Sequence, residues 1–496
     1  MTQSKVIRPL GGLEQYSSSR HSLGFYSCVA GTCRYTLSTR PKDDPNPQHI
    51  FQQAVEDIVL ALPSLRVGIK DEDSKTPKFV QLEHLDLPYH LEWAEESAHH
   101  EQADQEVLLR KLADRHSNAF ADLEQRPPWR LTCVRSYSPS VAGPDTGVCT
   151  VDAIFAVHHA IADGLSTAVF HSHLLEVLNK RLSSTASSSS TSPDDGTIAF
   201  PDELDLPPPV DTILSFKLSW SFFLSTLWNE FGPAWLSGAA PSPPWTGRPI
   251  TQEPSRVALR ALQIPALVLS GVLAACRAHS VSLTPLLHAV ILSSLAKRIP
   301  ENEAQSFIAQ TPINLRPSLK IMNAEKLMGT HITGENHLFD KATLGLFRSQ
   351  ADDVGDAEEY IWSTAAAVKA QLQRRLKTIP QDDQLGLLPY VSDWRQRWLK
   401  TLGRPRSVTW EISNIGSMPS NSETAGHWHI TQAMLTQSAN VAGPAFNVNV
   451  AGVRERGVTI TLSWQESIVE IEIMEGLATD LGEWLRRIAG TEAGGL

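Results

Sequence analysis

The stretch FAVHHAIADGLSTA, residues 155–168, puts His158, His159, Asp163 and Gly164 where one structural period gives way to another. Before it, GVCTVDAIFAV is a short run rich in β-branched residues. After it, LSTAVFHSHLLEVLNK carries Leu165, Val169, Leu175 and Leu178 at helical spacing. A strand must deliver two histidines to a turn that opens a helix. That commits this part of the chain to a strand–turn–helix unit, and the rest of the sequence extends the α/β reading. PQHIFQQAVEDIVLALPSL, IPALVLSGVLAACRAHS, LTPLLHAVILSSLAKRI and LATDLGEWLRRIAG have helical periodicity. RSVTWEISNIG alternates through Val408, Trp410 and Ile412, and FNVNVAGVRERGVTITLSW reads as two strands joined at a turn containing Gly457.

At 496 residues the chain exceeds the usual span of one hydrophobic core, so two domains or two halves sharing a cleft are expected. A serine run, RLSSTASSSSTSPDDGT, and a proline-rich stretch, GAAPSPPWTGRPITQEP, mark the joint. The division is an N-terminal half over 1–180, a crossover over 181–254 and a C-terminal half over 255–496. Between the two connections lies TILSFKLSWSFFLSTLWNEFGPAWL, residues 212–236. Its single lysine makes a buried or groove-lining helix the leading reading and contact with a membrane surface the lesser one.

A net charge of -11, with no basic stripe interleaved with aromatics, argues against a nucleic-acid partner. Cys28, Cys33, Cys133, Cys149 and Cys276 form no CxxC pair, so neither a zinc site nor a disulfide framework is indicated. MTQSKVIRPLGG lacks the apolar core of a signal peptide, and no run of about 18 uncharged apolar residues could span a bilayer. A cytoplasmic location is expected, with peripheral attachment to endoplasmic-reticulum or lipid-droplet membrane as a secondary possibility, and a monomer.

An imidazole at a strand end, with an ordinary pKa near 6.5, can take and return a proton at neutral pH. The alternative for His158 and His159 is a pair of satisfied core residues. Asp163 before Gly164 fits a helix N-cap and a tight turn. A metal site over His158, His159, Asp163, His171 and His173 is disfavoured because adjacent strand residues point to opposite faces. GLSTA resembles a nucleophile elbow, but the strand ends too early, and Ser166 reads as a first-turn helix residue.

The string from His158 to Gly164 reproduces HHxxxDG, the signature of acyltransferases with the chloramphenicol acetyltransferase-like fold, which include BAHD enzymes and peptide-synthetase condensation domains. RPLGGLEQYSSSRHSLGFYSCV, ALPSLRVGI, PPWRLTCV, TPINLRP and SNIGSM are similar to successive blocks of the fungal alcohol acetyltransferase family. The BAHD block D-F-G-W-G is absent near SNIGSM, which argues against that branch. The resemblance implies two similar-sized α/β domains, with mixed sheets flanked by helices and a channel between them. It makes His159 the general base, Asp163 a structural brace paired with Arg316, and Gly164 a point of close approach. Asn314, Ser413 and Asn414 are oxyanion or substrate-binding candidates, and each could equally cap a strand or turn. No bound cofactor or metal is implied. Acyl-CoA, most simply acetyl-CoA, is the co-substrate, and a small alcohol, phenol or secondary metabolite is the acceptor. The alternatives are a condensation-type enzyme using a carrier-tethered donor and a catalytically silent binding member of the fold.

Overall fold

Strand Gly147–Val157 is central to a five-stranded sheet because it is apolar on both faces. The order is Trp428–Gln437, Val29–Leu37, Gly147–Val157, Trp129–Pro139 and Leu91–Glu95. Val151, Ala153, Phe155 and Val157 join a core with helices Pro47–Ala61 and Gly164–Ser183. Ile154 and Ala156 pack on the opposite side with Leu108 and Leu112 of helix Glu101–His116. Phe155 stacks on Phe170 with ring centroids 3.8 Å apart, burying side chains worth about 2–3 kcal/mol each. The contact folds the helix back onto its own strand and forces residues 158–163 into a tight corner.

The computed structural model describes residues 5–37, 47–95, 101–139, 147–183, 196–200, 204–231, 244–253, 256–349, 354–420 and 427–491. Its second large sheet has six strands, in the order Val257–Pro265, Gly457–Gln465, Phe446–Val453, Trp410–Met418, Phe307–Asn314 and Ile332–Phe339. Side-chain alternation divides this sheet by polarity. Trp410, Ile412, Phe446, Val448, Ile460 and Leu462 pack in one core with helices Leu283–Arg298 and Ile471–Ile488. The intervening Glu411, Ser413, Asn447, Asn449, Thr461 and Ser463 share the opposite face, which meets the first sheet.

Strand Trp428–Gln437 comes from beyond residue 255 yet completes the first sheet, with Met434 opposite Thr32 and Gln437 opposite Val29. The two sheets are therefore interlocked rather than cut at one point of the sequence.

The strand and helix flanking the histidines form as expected. Helix Ala266–Ala278 begins later than its periodicity suggests, because Ile264 and Pro265 end a strand and Pro265 supplies the N-cap. All five cysteines are free and buried. Within 212–236, helix Trp220–Phe231 departs from the buried reading: Trp220, Leu224 and Trp228, one turn apart, are 79%, 58% and 49% exposed. The serine run over 184–195 and the stretches 232–243 and 254–255 lie outside the described residues. Among those residues no single helix is long and apolar enough to cross a membrane, and Leu283–Arg298 is a core helix with most positions buried.

Candidate active site

The corner is built as two hydrogen-bonded assemblies with His159 between them. On one side His158 is fully buried. Its Nδ1 accepts the Ala160 N–H at 2.9 Å, so the ring proton sits on Nε2 and is donated to Glu72 Oε1 at 3.0 Å. His21 mirrors this arrangement: Nε2 accepts the Phe120 N–H at 3.0 Å and Nδ1 donates to Glu72 at 3.0 Å. Burial works to raise the Glu72 pKa, but the hydrogen bonds from His158 and His21 outweigh it and hold the carboxyl at about 2. Burial pushes His158 down to about 4, so a carboxylate lies between imidazoles, and His158 is neutral at pH 7.

His21, Glu72 and His158 gather tightly enough to suggest a metal site. The tautomers argue against one. The nitrogens facing Glu72 carry protons because each opposite nitrogen is occupied by a main-chain N–H, whereas a metal-bound imidazole donates outward from its far nitrogen.

On the other side Asp163 is fully buried and accepts from Arg316 twice, Nη1 to Oδ2 at 2.8 Å and Nη2 to Oδ1 at 2.9 Å. It also caps the helix, accepting from Ser166 N at 2.8 Å and Ser166 Oγ at 2.8 Å, and it accepts from His331 N at 3.1 Å. Burial opposes ionisation, but Arg316 more than compensates and holds the Asp163 carboxyl well below the usual carboxylate range. Asp163 thus caps the helix and is ion-paired with Arg316, the partner that the family resemblance implies. Ser166 is fully committed to this cap and to the Gly329 carbonyl, and so is not placed as a nucleophile. The Gly329–His331 segment closes the corner from the other half: Asp163 N donates to Gly329 O, and Thr330 Oγ1 donates to the His159 carbonyl at 2.6 Å. At Gly164 a Cβ would come within 3.2 Å of Ile415 and 3.3 Å of Leu435, so the close approach is made by side chains of the opposite half.

Between the assemblies, the ring of His159 is not held by hydrogen bonds to other side chains. Its Nδ1 is buried with no partner of good geometry and lies against the residue's own carbonyl, which raises its basicity. Nε2 bonds to nothing among the described residues. Burial, assisted by the charge of Arg20, pushes the His159 pKa down to about 4, leaving a neutral ring at pH 7. The edge of Tyr26 packs against it at 5.6 Å. Arg20 lies over the rings of Tyr16 at 4.3 Å and Tyr26 at 4.8 Å.

The remaining candidates separate. Asn314 is exposed, and its Oδ1 accepts from Arg316 N at 3.0 Å and Nη1 at 3.3 Å, steadying the brace. Asn414 is also exposed: it donates to Thr284 Oγ1 and accepts from Gly416 N at a bulge where Gly416 has φ +78°. Ser413 stands on the polar sheet face, opposite Asn449. His171 is a core residue held by Tyr35 and the Gly31 carbonyl, away from any ion-binding group. A crevice of about 310 Å³ lined by Arg34, Thr431, Gly457 and Thr459 opens further along the same strands. The contact of Thr461 Oγ1 with the Leu435 carbonyl lies between this crevice and Gln437.

Sequence reading missed Glu72, because KDEDSKT looks like a solvated turn. It also gave no role to Arg20, His21 or Tyr26, although all three lie in the opening block that carries the resemblance.

This architecture has known relatives. The profile of the alcohol acetyltransferase family matches residues 98–476. The chain is 30% identical to the "Probable alcohol acetyltransferase FCK4" of Fusarium pseudograminearum, over 97% of this chain and 95% of that protein. It is 26% identical to the "Probable alcohol acetyltransferase crmB" of Aspergillus fumigatus, over 93% and 95% respectively. Among solved structures, the trichothecene 15-O-acetyltransferase TRI3 of Fusarium sporotrichioides is similar with a TM-score of 0.68 at 13% identity, covering 97% of this chain and 94% of that one. The two layered sheets are those of the chloramphenicol acetyltransferase-like fold, and the chain is an acyltransferase belonging to the alcohol acetyltransferase family.

Proposed function

We propose that the chain transfers an acyl group, most simply acetyl, from acyl-CoA to the hydroxyl of a small alcohol, phenol or secondary metabolite, with His159 as general base. The observation that carries this reading is the state of the His159 ring: neutral, with a free Nε2 and a buried Nδ1 against its own carbonyl. With the proton on Nδ1, the Nε2 lone pair is available to an acceptor O–H. As that proton moves to Nε2, the acceptor oxygen forms a bond to the thioester carbonyl carbon. The tetrahedral intermediate then expels the CoA thiolate by C–S cleavage, and Nε2 returns the proton to sulfur. No covalent acyl-enzyme enters the scheme, since holding both substrates side by side makes the attack effectively intramolecular. Ser413 is the oxyanion donor in this proposal, because Asn414 Nδ2 already donates to Thr284 Oγ1 and the Asn314 side chain is turned to Arg316, accepting from it through Oδ1.

We place the enzyme in the cytoplasm, as a monomer, with the Trp220–Leu224–Trp228 stripe touching a lipid surface. The test of the reaction is mass-spectrometric detection of ester from acetyl-CoA and a panel of alcohols and phenols, with His159→Ala in parallel. Ester from the unaltered protein, reduced by roughly two to four orders of magnitude in the variant, is expected. A near-normal rate in the variant would remove His159 from its role. Ester formed only from a carrier-tethered donor would favour the condensation-type alternative.

A further inference from the structure

Glu72 stands in a run of charged residues, yet three donors hold it inside, and two of them lead to His159. Asp71, at φ +55°, turns the chain directly after strand Val67–Lys70, and Ser74 N closes the turn on the Asp71 carbonyl at 2.9 Å. Asp71 and Asp73 stay exposed, whereas Glu72 is turned inward with 14% of its side chain accessible. There it accepts from Ser18 Oγ at 3.2 Å, His21 Nδ1 at 3.0 Å and His158 Nε2 at 3.0 Å. Ser18 and His21 lie three residues apart on one face of helix Gly12–Ser22, and His158 follows strand Gly147–Val157.

Through His158 the carboxylate reaches the main chain of the proposed base. The His158 ring accepts from Ala160 N–H at 2.9 Å only in the tautomer whose Nε2 proton goes to Glu72. The His158 carbonyl accepts from Ile161 N at 3.1 Å, so the two peptide groups that follow His159 both hang on His158. Through His21 the carboxylate reaches the ring of the base. The His21 carbonyl accepts from Gly24 N at 2.9 Å, and the adjoining Arg20 carbonyl accepts from Tyr26 N at 3.3 Å. That turn sets the edge of Tyr26 against His159 at 5.6 Å. Residue 72 must also accept from both imidazoles, because each uses its other nitrogen to accept a main-chain N–H. A carboxylate can do so, whereas an amide of the same shape sets its NH2 against one of the two ring protons.

We propose that Glu72 is a positioning residue for acyl transfer: by accepting from His21 and His158 together, it fixes where His159 Nε2 meets the acceptor hydroxyl. This rests on the acyl-transfer reading above. Glu72 then acts on kcat without touching a substrate, because a reacting atom displaced by about 1 Å loses roughly two orders of magnitude in rate.

The experiment substitutes Glu72→Gln and measures CoA thiol release from acetyl-CoA, with the alcohol or phenol of the panel that gives most ester as acceptor. Rates are taken per folded molecule, counted by circular dichroism. kcat is expected to fall about tenfold to hundredfold, with the KM for either substrate changed by less than about threefold. Glu72→Asp keeps the charge and both acceptor oxygens on a stem one carbon shorter. It should recover part of the loss, and it carries the same readout against the parent should the glutamine variant fold poorly. Two-bond proton–nitrogen spectra of the histidine rings read the placement without the reaction, with the His159 signals identified by their loss in His159→Ala. In Glu72→Gln one flanking imidazole should change tautomer and the His159 signals should move. Moved signals in a protein whose parent releases no thiol would fault the proposed reaction and leave the placement by Glu72 standing. An unchanged kcat, a loss confined to KM, unmoved His159 signals or a Glu72→Asp variant no faster than Glu72→Gln would each overturn the positioning role.

Discussion

Asp163→Ala should destabilise this protein far more than His159→Ala, although the two residues are four apart on one loop. The Asp163 carboxylate receives five hydrogen bonds, two from Arg316, two from Ser166 and one from His331 N, with both ion-pair partners 1% exposed. Truncation strands a buried guanidinium, at a cost of about 3–5 kcal/mol. It also uncaps the helix at Ser166 N, for about 1 kcal/mol more. His159→Ala removes a half-buried ring with no hydrogen bond to another side chain, so its loss is confined to packing on Tyr26. A chain of 496 residues has an unfolding entropy near 1 kcal/mol per degree, so the Asp163 variant should melt about 4–6 °C lower. The His159 variant should stay within about 1 °C of the parent on the same scale. The double variant Asp163→Ala/Arg316→Leu separates the ion pair from the cap. Removing the stranded charge should restore at least half of the loss, because a buried pair replaced as a unit is often near neutral. Thermal melts followed by circular dichroism at pH 7.5 would decide. Equal melting temperatures for the two single variants would refute the brace, as would a double variant destabilised by the sum of its parts.

Two further outcomes follow from the same structure. Burial depresses His90, His158, His159, His171 and His331 to about 4 and His116 to about 3. A histidine depressed in the folded state costs nothing above its unfolded pKa near 6.5 and loses stability as pH falls below it, on the order of 1 kcal/mol for each by pH 5.5. The six act in the same direction, so melting temperature should fall steeply between pH 6.5 and 5.5, while initial rates per folded molecule stay level; a flat melting profile would contradict this. In vesicle flotation, Trp220→Ser/Trp228→Ser should leave the lipid fraction at least several-fold depleted relative to the parent chain, and equal flotation would remove the stripe from any membrane role.

The corner was legible in sequence because its signal is local. A β-branched run, two histidines, Asp-Gly and a helical period fall within about forty residues of one another and fix strand, cap and helix. Arg316 could be paired with Asp163 only through the family resemblance, since 153 residues separate them and nothing in INLRP distinguishes a buried arginine from an exposed one. Glu72 was hidden for a related reason. A glutamate among Asp71, Asp73 and Lys75 reads as solvent-facing, and only the fold shows His21 and His158 converging on it. The exposed stripe on Trp220–Phe231 went the other way: aromatic content suggested burial, but burial depends on a partner surface that local sequence does not specify.

Neither half of the chain supplies the site alone. His159, its neighbours and the helix cap come from the first half. Arg316, Thr330 and the Gly329 carbonyl that hold them come from the second, and strand Trp428–Gln437 carries Gln437 back into the first sheet beside Tyr26. The group proposed to move the proton is the one that these contacts leave unbonded at Nε2, while its main chain is fixed on both sides. Anchoring is thus concentrated in Asp163, Glu72 and Thr330, none of which needs to touch a substrate, and the reactive ring is left free to meet one. Substitutions at the anchors should therefore lower stability and activity together, whereas His159 is the position where the two separate.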